Sequence, residues 1–272
     1  MKLSVIQMNS ISDKAKNIAM AQALIEKAVA EEKPDWVLLP EHFDWAGGTT
    51  ADKLRHAETV PGGPAYTMCQ DLARTHKIFV HAGSLMERVE GENKIHNTTV
   101  VFDREGKEIA RYRKIHLFDV TTPDGTEYKD SASVKPGDAV VTYKADDLTV
   151  GAAICYDLRF PELFQALAKK GAQVIALPAA FTLQTGKDHW EVLIRARAIE
   201  NEVYMAASAQ CGSYMQGNTP RFTYGHSMVV DPWGHVVAKA SDGPGIASAR
   251  VDAGKVDQVR AQIPVHKHRR LA

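Results

Sequence analysis

Short apolar blocks alternate along this chain with stretches that carry apolar residues at helical spacing. Leu3–Met8 reads as a first strand, and Asp13–Ala30 as an amphipathic helix with its start signal near Ser12. Asp35–Pro40 is a second buried strand, and it runs directly into Glu41. Pro64–His76 predicts a helix and Ile78–Ser84 a strand. Asn97–Asp103 and Lys107–Tyr112 form a hairpin around Arg104–Glu105–Gly106. Asp119–Gly137 is rich in turn residues and lacks periodicity, which predicts a long functional loop. Strands follow at Val140–Tyr143, Leu148–Ile154, Gln173–Pro178, Val203–Ala209, His226–Val230, Val236–Lys239 and Ile246–Val251. Helices are expected at Pro161–Lys170 and His189–Asn201, and a turn at Asp231–Gly234. Strands alternating with helices, beside some antiparallel hairpins, predict an α/β protein with a mixed sheet covered by helices. No linker, repeat or low-complexity stretch divides it.

Composition narrows the possibilities. The 272 residues are 44% hydrophobic and 24% charged, which is ordinary for a globular chain with a full core. Lys plus Arg and Asp plus Glu balance at 33 each, so no global field favours nucleic acid or an anionic membrane. Only His266–Arg270 is basic, and a solvated terminus accounts for it. No apolar run approaches the ~20 residues of a membrane span, and the N-terminal run is too short for a signal peptide. Cys69, Cys155 and Cys211 are too few and too scattered for a disulfide framework or a zinc cluster. These features together predict a cytoplasmic protein.

Three polar residues stand at the ends of three strands. The run Thr149–Ile154 stops at Cys155, and Pro161 then opens a helix. That places the thiol at a strand-to-helix turn, over the carboxyl end of a sheet, where α/β proteins bind ligands. A buried spectator thiol is the alternative. Glu41 ends the Val37–Pro40 strand, and Lys114 ends the strand before Ile115–Phe118. These are the chemical types that amide hydrolysis by covalent catalysis requires. A free thiol, with pKa ~8.5, needs a base or a cation beside it. Glu41 would take the proton, and Lys114 would stabilise the thiolate and then the oxyanion. A backbone N–H at the Cys155–Tyr156 turn would add a second oxyanion donor.

The motifs Leu39–Pro40–Glu41, Tyr112–Asp119 and Ile154–Glu162 resemble the three signatures of the nitrilase superfamily of carbon–nitrogen hydrolases. The likeness continues through Pro178–Phe181, Thr185–Gly186, His189–Leu193 and Arg195–Asn201. Ala209–Gly212 and Tyr224–Gly234 look most like its deaminated glutathione amidase branch, more than the neighbouring ω-amidases that act on α-ketoglutaramate. The resemblance implies residues 1–272 as one carbon–nitrogen hydrolase domain, a four-layer α-β-β-α sandwich that forms a homodimer, and a reaction without metal or cofactor. It makes Glu41 the general base, Lys114 the oxyanion-stabilising cation and Cys155 the nucleophile of a thioester mechanism. Family members place a second glutamate before a Ser-containing stretch ending Pro–Gly. Here Asp130 precedes Ser131 and Pro136–Gly137, with Glu127 as a possible substitute.

The implied substrate is an anionic small-molecule amide, cleaved to α-ketoglutarate and cysteinylglycine. Arg159 is the first candidate to grip a carboxylate, because guanidinium binds it bidentately; pairing with Glu162 or Asp157 is the alternative. Tyr156, Thr182 and His189 are further candidates for substrate contact. His42 and His116 flank the proposed triad and would hydrogen-bond around it, while Cys69 and Cys211 read as packing residues. The competing readings are an ω-amidase or other amidase, a nitrile hydrolase and a catalytically idle scaffold. A phosphate-binding role lacks a Walker-type loop.

Overall fold

The computed structural model describes residues 1–122 and 125–270. The chain first lays down β1 (Lys2–Gln7), α1 (Lys14–Glu32), β2 (Trp36–Leu38), α2 (Thr50–His56), α3 (Pro64–His76), β3 (Phe79–His81), β4 (Leu85–Arg88), β5 (Ile95–Phe102) and β6 (Glu108–Arg113). A small hairpin follows, β7 (Asp119–Thr121) with β8 (Glu127–Lys129). Next come β9 (Thr142–Ala145), β10 (Leu148–Ala152), α4 (Pro161–Lys169), β11 (Val174–Ala179), α5 (Leu183–Asn201) and β12 (Tyr204–Ala209). The hairpin β13 (Cys211–Gln216) and β14 (Thr219–Tyr224) precedes β15 (Met228–Val230), β16 (Val236–Lys239), β17 (Gly245–Arg250), α6 (Ala253–Gln262) and α7 (Val265–His268).

Two mixed sheets result. One runs β17-β1-β2-β3-β5-β4 with β6 on the other edge of β5, and the second runs β16-β15-β12-β11-β10-β9. Side chains alternate across each strand, so Leu3 and Val5 face one way and Ile6 and Met8 the other. Leu3, Val5, Trp36 and Leu38 meet Val150, Val174, Ala176 and Ala206 of the second sheet, which makes the layer between the sheets. Ile6, Val37 and Val80 instead pack on Ala21, Ile25, Cys69 and Leu72 of α1 and α3. On the far side Ile175, Leu177 and Met205 pack on Phe164, Leu167, Trp190 and Ile194 of α4 and α5. The layers are therefore α-β-β-α, and strands covered on both faces explain the nearly continuous apolar runs. No described helix is long and apolar enough to cross a membrane.

Several boundaries differ from the sequence reading, each for a local reason. The cap of α1 is Asp13, whose carboxylate accepts from the Lys16 N–H at 3.1 Å, rather than Ser12. α5 begins six residues before His189, capped by Thr182. Its first turn holds Thr185 and Gly186, poor helix formers, and Gly186 is there because α5 touches β14: a Cβ at that position would collide with the Tyr224 side chain. Within the expected Asp119–Gly137 loop, residues 123 and 124 lie outside the described part, while the remainder carries β7, β8 and a 3₁₀ turn at Asp130–Ala132. The β13–β14 hairpin was not anticipated, although Gly217–Asn218 between two strands is a two-residue hairpin signal. It folds back against the loop after β2, where Gly47, at φ 89°, allows its backbone to touch Met215.

Candidate active site

The parallel strands β2 and β10 point their carboxyl ends toward one cleft, and β6 ends beside them. Glu41 leaves the β2 end after Pro40, Lys114 follows β6 directly, and Cys155 follows β10 at the start of a 3₁₀ turn. Lys114 Nζ lies 3.0 Å from Glu41 Oε1 and 3.6 Å from Asp130 Oδ2. The Cys155 thiol opens on the same cleft, close enough for Glu41 and Lys114 to act on its proton affinity. All three side chains open on a cleft of about 1100 Å³, its solvent-filled mouth included.

Backbone geometry presents the thiol. Cys155 has φ 49°, in the left-handed region that a residue with a Cβ adopts at a cost of order 1–3 kcal/mol. Something must hold it there, and Asp157 does. Its fully buried carboxylate accepts from the Ile154 N–H at 2.8 Å and the Tyr112 hydroxyl at 2.6 Å. The same carboxylate meets the His116 N–H at 3.2 Å and His116 Nδ1 at 2.7 Å. The imidazole in turn stacks on Phe160, with ring centroids 3.7 Å apart. Asp157 thus ties the Cys155 turn to both flanks of Lys114. Asn97 makes a similar clamp on the other side: its carbonyl accepts from the Lys114 N–H and its Nδ2 donates to Glu41 Oε1 at 2.8 Å. Gln210 Nε2 holds the Glu41 carbonyl at 2.9 Å.

Charges settle accordingly. Burial works to raise the Glu41 pKa, but the Lys114 ammonium, the nearby His42 and hydrogen bonds from Cys155 and Lys114 outweigh it and bring it to about 2. Burial disfavours the Lys114 cation, yet Glu41, Asp130 and Cys155 push its pKa above the ordinary lysine value. The Cys155 thiol is pushed well up by burial and by Glu41, against the pull of Lys114. At rest the site therefore holds carboxylate, ammonium and neutral thiol. Burial also lowers His42, so that imidazole is neutral at pH 7.

The other sequence candidates divide. Asp130 occupies the second-carboxylate position, where its Oδ2 also accepts from the Phe118 N–H at 3.1 Å. Glu127 is exposed on β8 and outside the cleft lining. Tyr156, Arg159 and Thr182 line the cleft. Arg159 pairs with neither Asp157 nor Glu162; its guanidinium lies over the Phe181 ring at 5.4 Å and against His189 Nδ1 at 3.3 Å. His189 lies within α5 rather than at its start, and it reaches the cleft only through Arg159. Thr182 is the α5 cap, so its hydroxyl is partly committed to Thr185. Asn97, Asp157 and Gln210 were not singled out by sequence as site partners; each sat inside a motif or strand with no signal of where its side chain would go. Among the described residues no group of three or more His, Cys, Asp or Glu side chains is arranged to hold a metal ion.

Known proteins share this framework. The carbon-nitrogen hydrolase family model matches residues 2–261. The chain is 41% identical over 269 residues to the deaminated glutathione amidase of Synechocystis sp. (strain PCC 6803 / GT-S), covering 98% of this chain and 97% of that protein. The human deaminated glutathione amidase is 40% identical, with 98% of this chain and 82% of that protein covered. The crystal structure of Saccharomyces cerevisiae Nit3, a member of branch 10 of the nitrilase superfamily, superposes with TM-score 0.88 at 33% identity, covering 100% of this chain and 97% of that one. The C. elegans NitFhit structure gives TM-score 0.91 at 39% identity over 99% of this chain, which spans 65% of that protein's length.

Proposed function

The chain belongs to the carbon–nitrogen hydrolase family and is an amidase of the nitrilase superfamily, and from that premise we propose that Glu41, Lys114 and Cys155 hydrolyse deaminated glutathione. The observation that carries the assignment is the buried Glu41–Lys114 pair, which opens on the same cleft as a neutral Cys155 thiol. With Glu41 at about 2 and the thiol well above its ordinary value, a free thiolate is not stable at rest. Deprotonation therefore accompanies attack. As the sulfur bonds to the amide carbon, its proton passes to Glu41 and the carbonyl oxygen becomes anionic. Lys114 then exchanges one anionic partner, Glu41, for another, the oxyanion. The buried cluster keeps the same net charge throughout, which avoids a desolvated unpaired ion.

Collapse of the tetrahedral adduct breaks the C–N bond, and the proton on Glu41 goes to the departing amine. Water then attacks the thioester with Glu41 again taking its proton; the acid leaves and the thiol regains the proton. The first N–H groups of the Cys155 turn have no partner within the turn and supply the second oxyanion donor. The substrate is read from the curated relatives, and Arg159 is consistent with an anionic acyl part. Exposed Val192 and Ile199 on α5, with Trp233 and Val237 nearby in the fold, support a homodimer. The free state of Cys69, Cys155 and Cys211 supports a cytoplasmic setting.

The test offers deaminated glutathione and α-ketoglutaramate in parallel, with peptide and ammonia release followed separately. Deaminated glutathione should give the higher kcat/KM by about tenfold or more, and Cys155→Ala should lower it by about 10⁴ or more. Retained turnover in Cys155→Ala, or a preference for α-ketoglutaramate, defeats the reading.

A further inference from the structure

We propose that Lys53, on α2, grips a carboxylate on the leaving group, so that the enzyme selects amides bearing an anion on both sides of the scissile bond. This rests on the activity proposed above. Three cations line the cleft: Lys53, Lys114 and Arg159. Lys114 is held by Glu41 and Asp130. Lys53 and Arg159 remain, and neither has an ion-pair partner among the described residues. Cations that face a cavity without a carboxylate partner are available to meet an anionic ligand there.

The two cations reach the cleft from different elements, Lys53 from α2 and Arg159 from the turn that follows β10. Arg159 belongs to the turn that begins with Cys155, and beside it are Phe181 and Thr182 at the start of α5. The acyl group stays bonded to sulfur after the first step, so it occupies this side. The amine departs on the side of its proton donor, Glu41. His42 follows Glu41; its carbonyl accepts from the Trp45 N–H at 3.2 Å, and the Trp45 ring stacks on His56 of the helix that carries Lys53. Lys53 is thus placed where the departing group passes.

Its helix is firmly seated. Thr49 and Asp52 form a capping box at its start. At its end His56 stacks on Trp45, with centroids 4.1 Å apart, and the His56 carbonyl accepts from Lys14 Nζ at 2.7 Å. Arg88 donates to the Leu54 carbonyl at 2.8 Å. Such anchoring presents the Lys53 charge to the cleft from a fixed backbone, as a specificity element requires. A leaving group such as a dipeptide with a free terminal carboxylate matches it; ammonia does not.

The experiment compares kcat/KM for a matched pair of amides with the same α-ketodicarboxylate acyl part. One leaving dipeptide ends in a free carboxylate and the other in a carboxamide. The native enzyme should favour the free acid by about fivefold, the size expected of one partly exposed charge contact. Lys53→Met should bring that ratio close to one, while Lys53→Arg should keep most of it. An unchanged ratio in Lys53→Met, or an equal loss on both amides, overturns the role of Lys53 and leaves the amidase reading standing. Failure of the native enzyme to cleave either amide faster than Cys155→Ala overturns both.

Discussion

Two buried clusters in this protein have the same composition, two carboxylates and one lysine, and their central acids stand three positions apart at Glu41 and Asp44. In the first, Lys114 lies between Glu41 and Asp130. In the second, Lys14 lies 3.1 Å from Asp44 and 2.8 Å from Glu58. Their acids shift in opposite directions. Glu41 falls to about 2, whereas Asp44 is driven up to about 6, chiefly by burial and further by Glu58, against the pull of Lys14. Glu41 has donors of its own in Asn97 and Lys114. In the second cluster the donors go to Glu58, which accepts the Ala65 and Tyr66 N–H groups at the start of α3. A buried charge pair is thus no mark of a site by itself. The first cluster is chemically useful because it borders an open cleft and a nucleophile; the second fastens α1, α2 and α3 to the loop between them.

The largest contrast comes from removing each lysine. Lys114→Met should reduce kcat/KM by about a thousandfold or more, since the oxyanion loses its cation and buried Glu41, now unpaired, takes up a proton. Lys14→Met should instead lower unfolding stability by about 3–5 kcal/mol, because two buried carboxylates lose their only ammonium. Turnover per folded molecule should stay within about threefold of native. Denaturant unfolding alongside active-site titration separates the effects, and a Lys14→Met enzyme as stable as native would break the distinction between the clusters.

A smaller effect separates the two acids proposed from sequence. Asp130→Asn should cost about tenfold in kcat/KM by loosening Lys114, while exposed Glu127→Gln should stay within twofold. Equal effects from both would return the second carboxylate to β8.

What the sequence disclosed follows from where its signals lie. Glu41 and Cys155 each end an apolar strand, where the hydrophobic pattern visibly stops, and Lys114 ends the more polar hairpin strand β6. Asp130 was readable only through its place in a family motif. Asn97, inside an all-buried strand, and Asp157, inside the Cys155 turn, gave no cue, because nothing in a linear pattern shows which buried polar side chain crosses to another element. Asp157 was considered only as a partner for Arg159, and the structure gives it to Tyr112 and His116 instead. The four layers could be expected from the resemblance, but residues alone reached only a helix-covered mixed sheet. Short elements such as α2 bury too little of one face to produce a period; all seven of its residues escape full burial.

The finest test of the comparison is the pH dependence of Asp44. Its folded pKa of about 6 lies above the ordinary 3.8, so folding favours the protonated acid. That contribution is complete below about pH 4 and disappears as pH rises through 6. Native protein should therefore lose up to about 3 kcal/mol across this window from Asp44, from the roughly two-unit gap at 1.36 kcal/mol each. Asp44→Asn, which cannot ionise, should lack that segment. Its stability relative to native should rise between pH 4 and pH 7, while Lys14 retains Glu58 as a partner. Glu41 behaves with the opposite sign: its pairing is fully present above about pH 4.5 and fades only as pH falls toward 2. Native and Asp44→Asn stability curves that run parallel from pH 4 to pH 7 would show that Asp44 is ionised throughout, as Glu41 is, and that the two clusters differ in access alone.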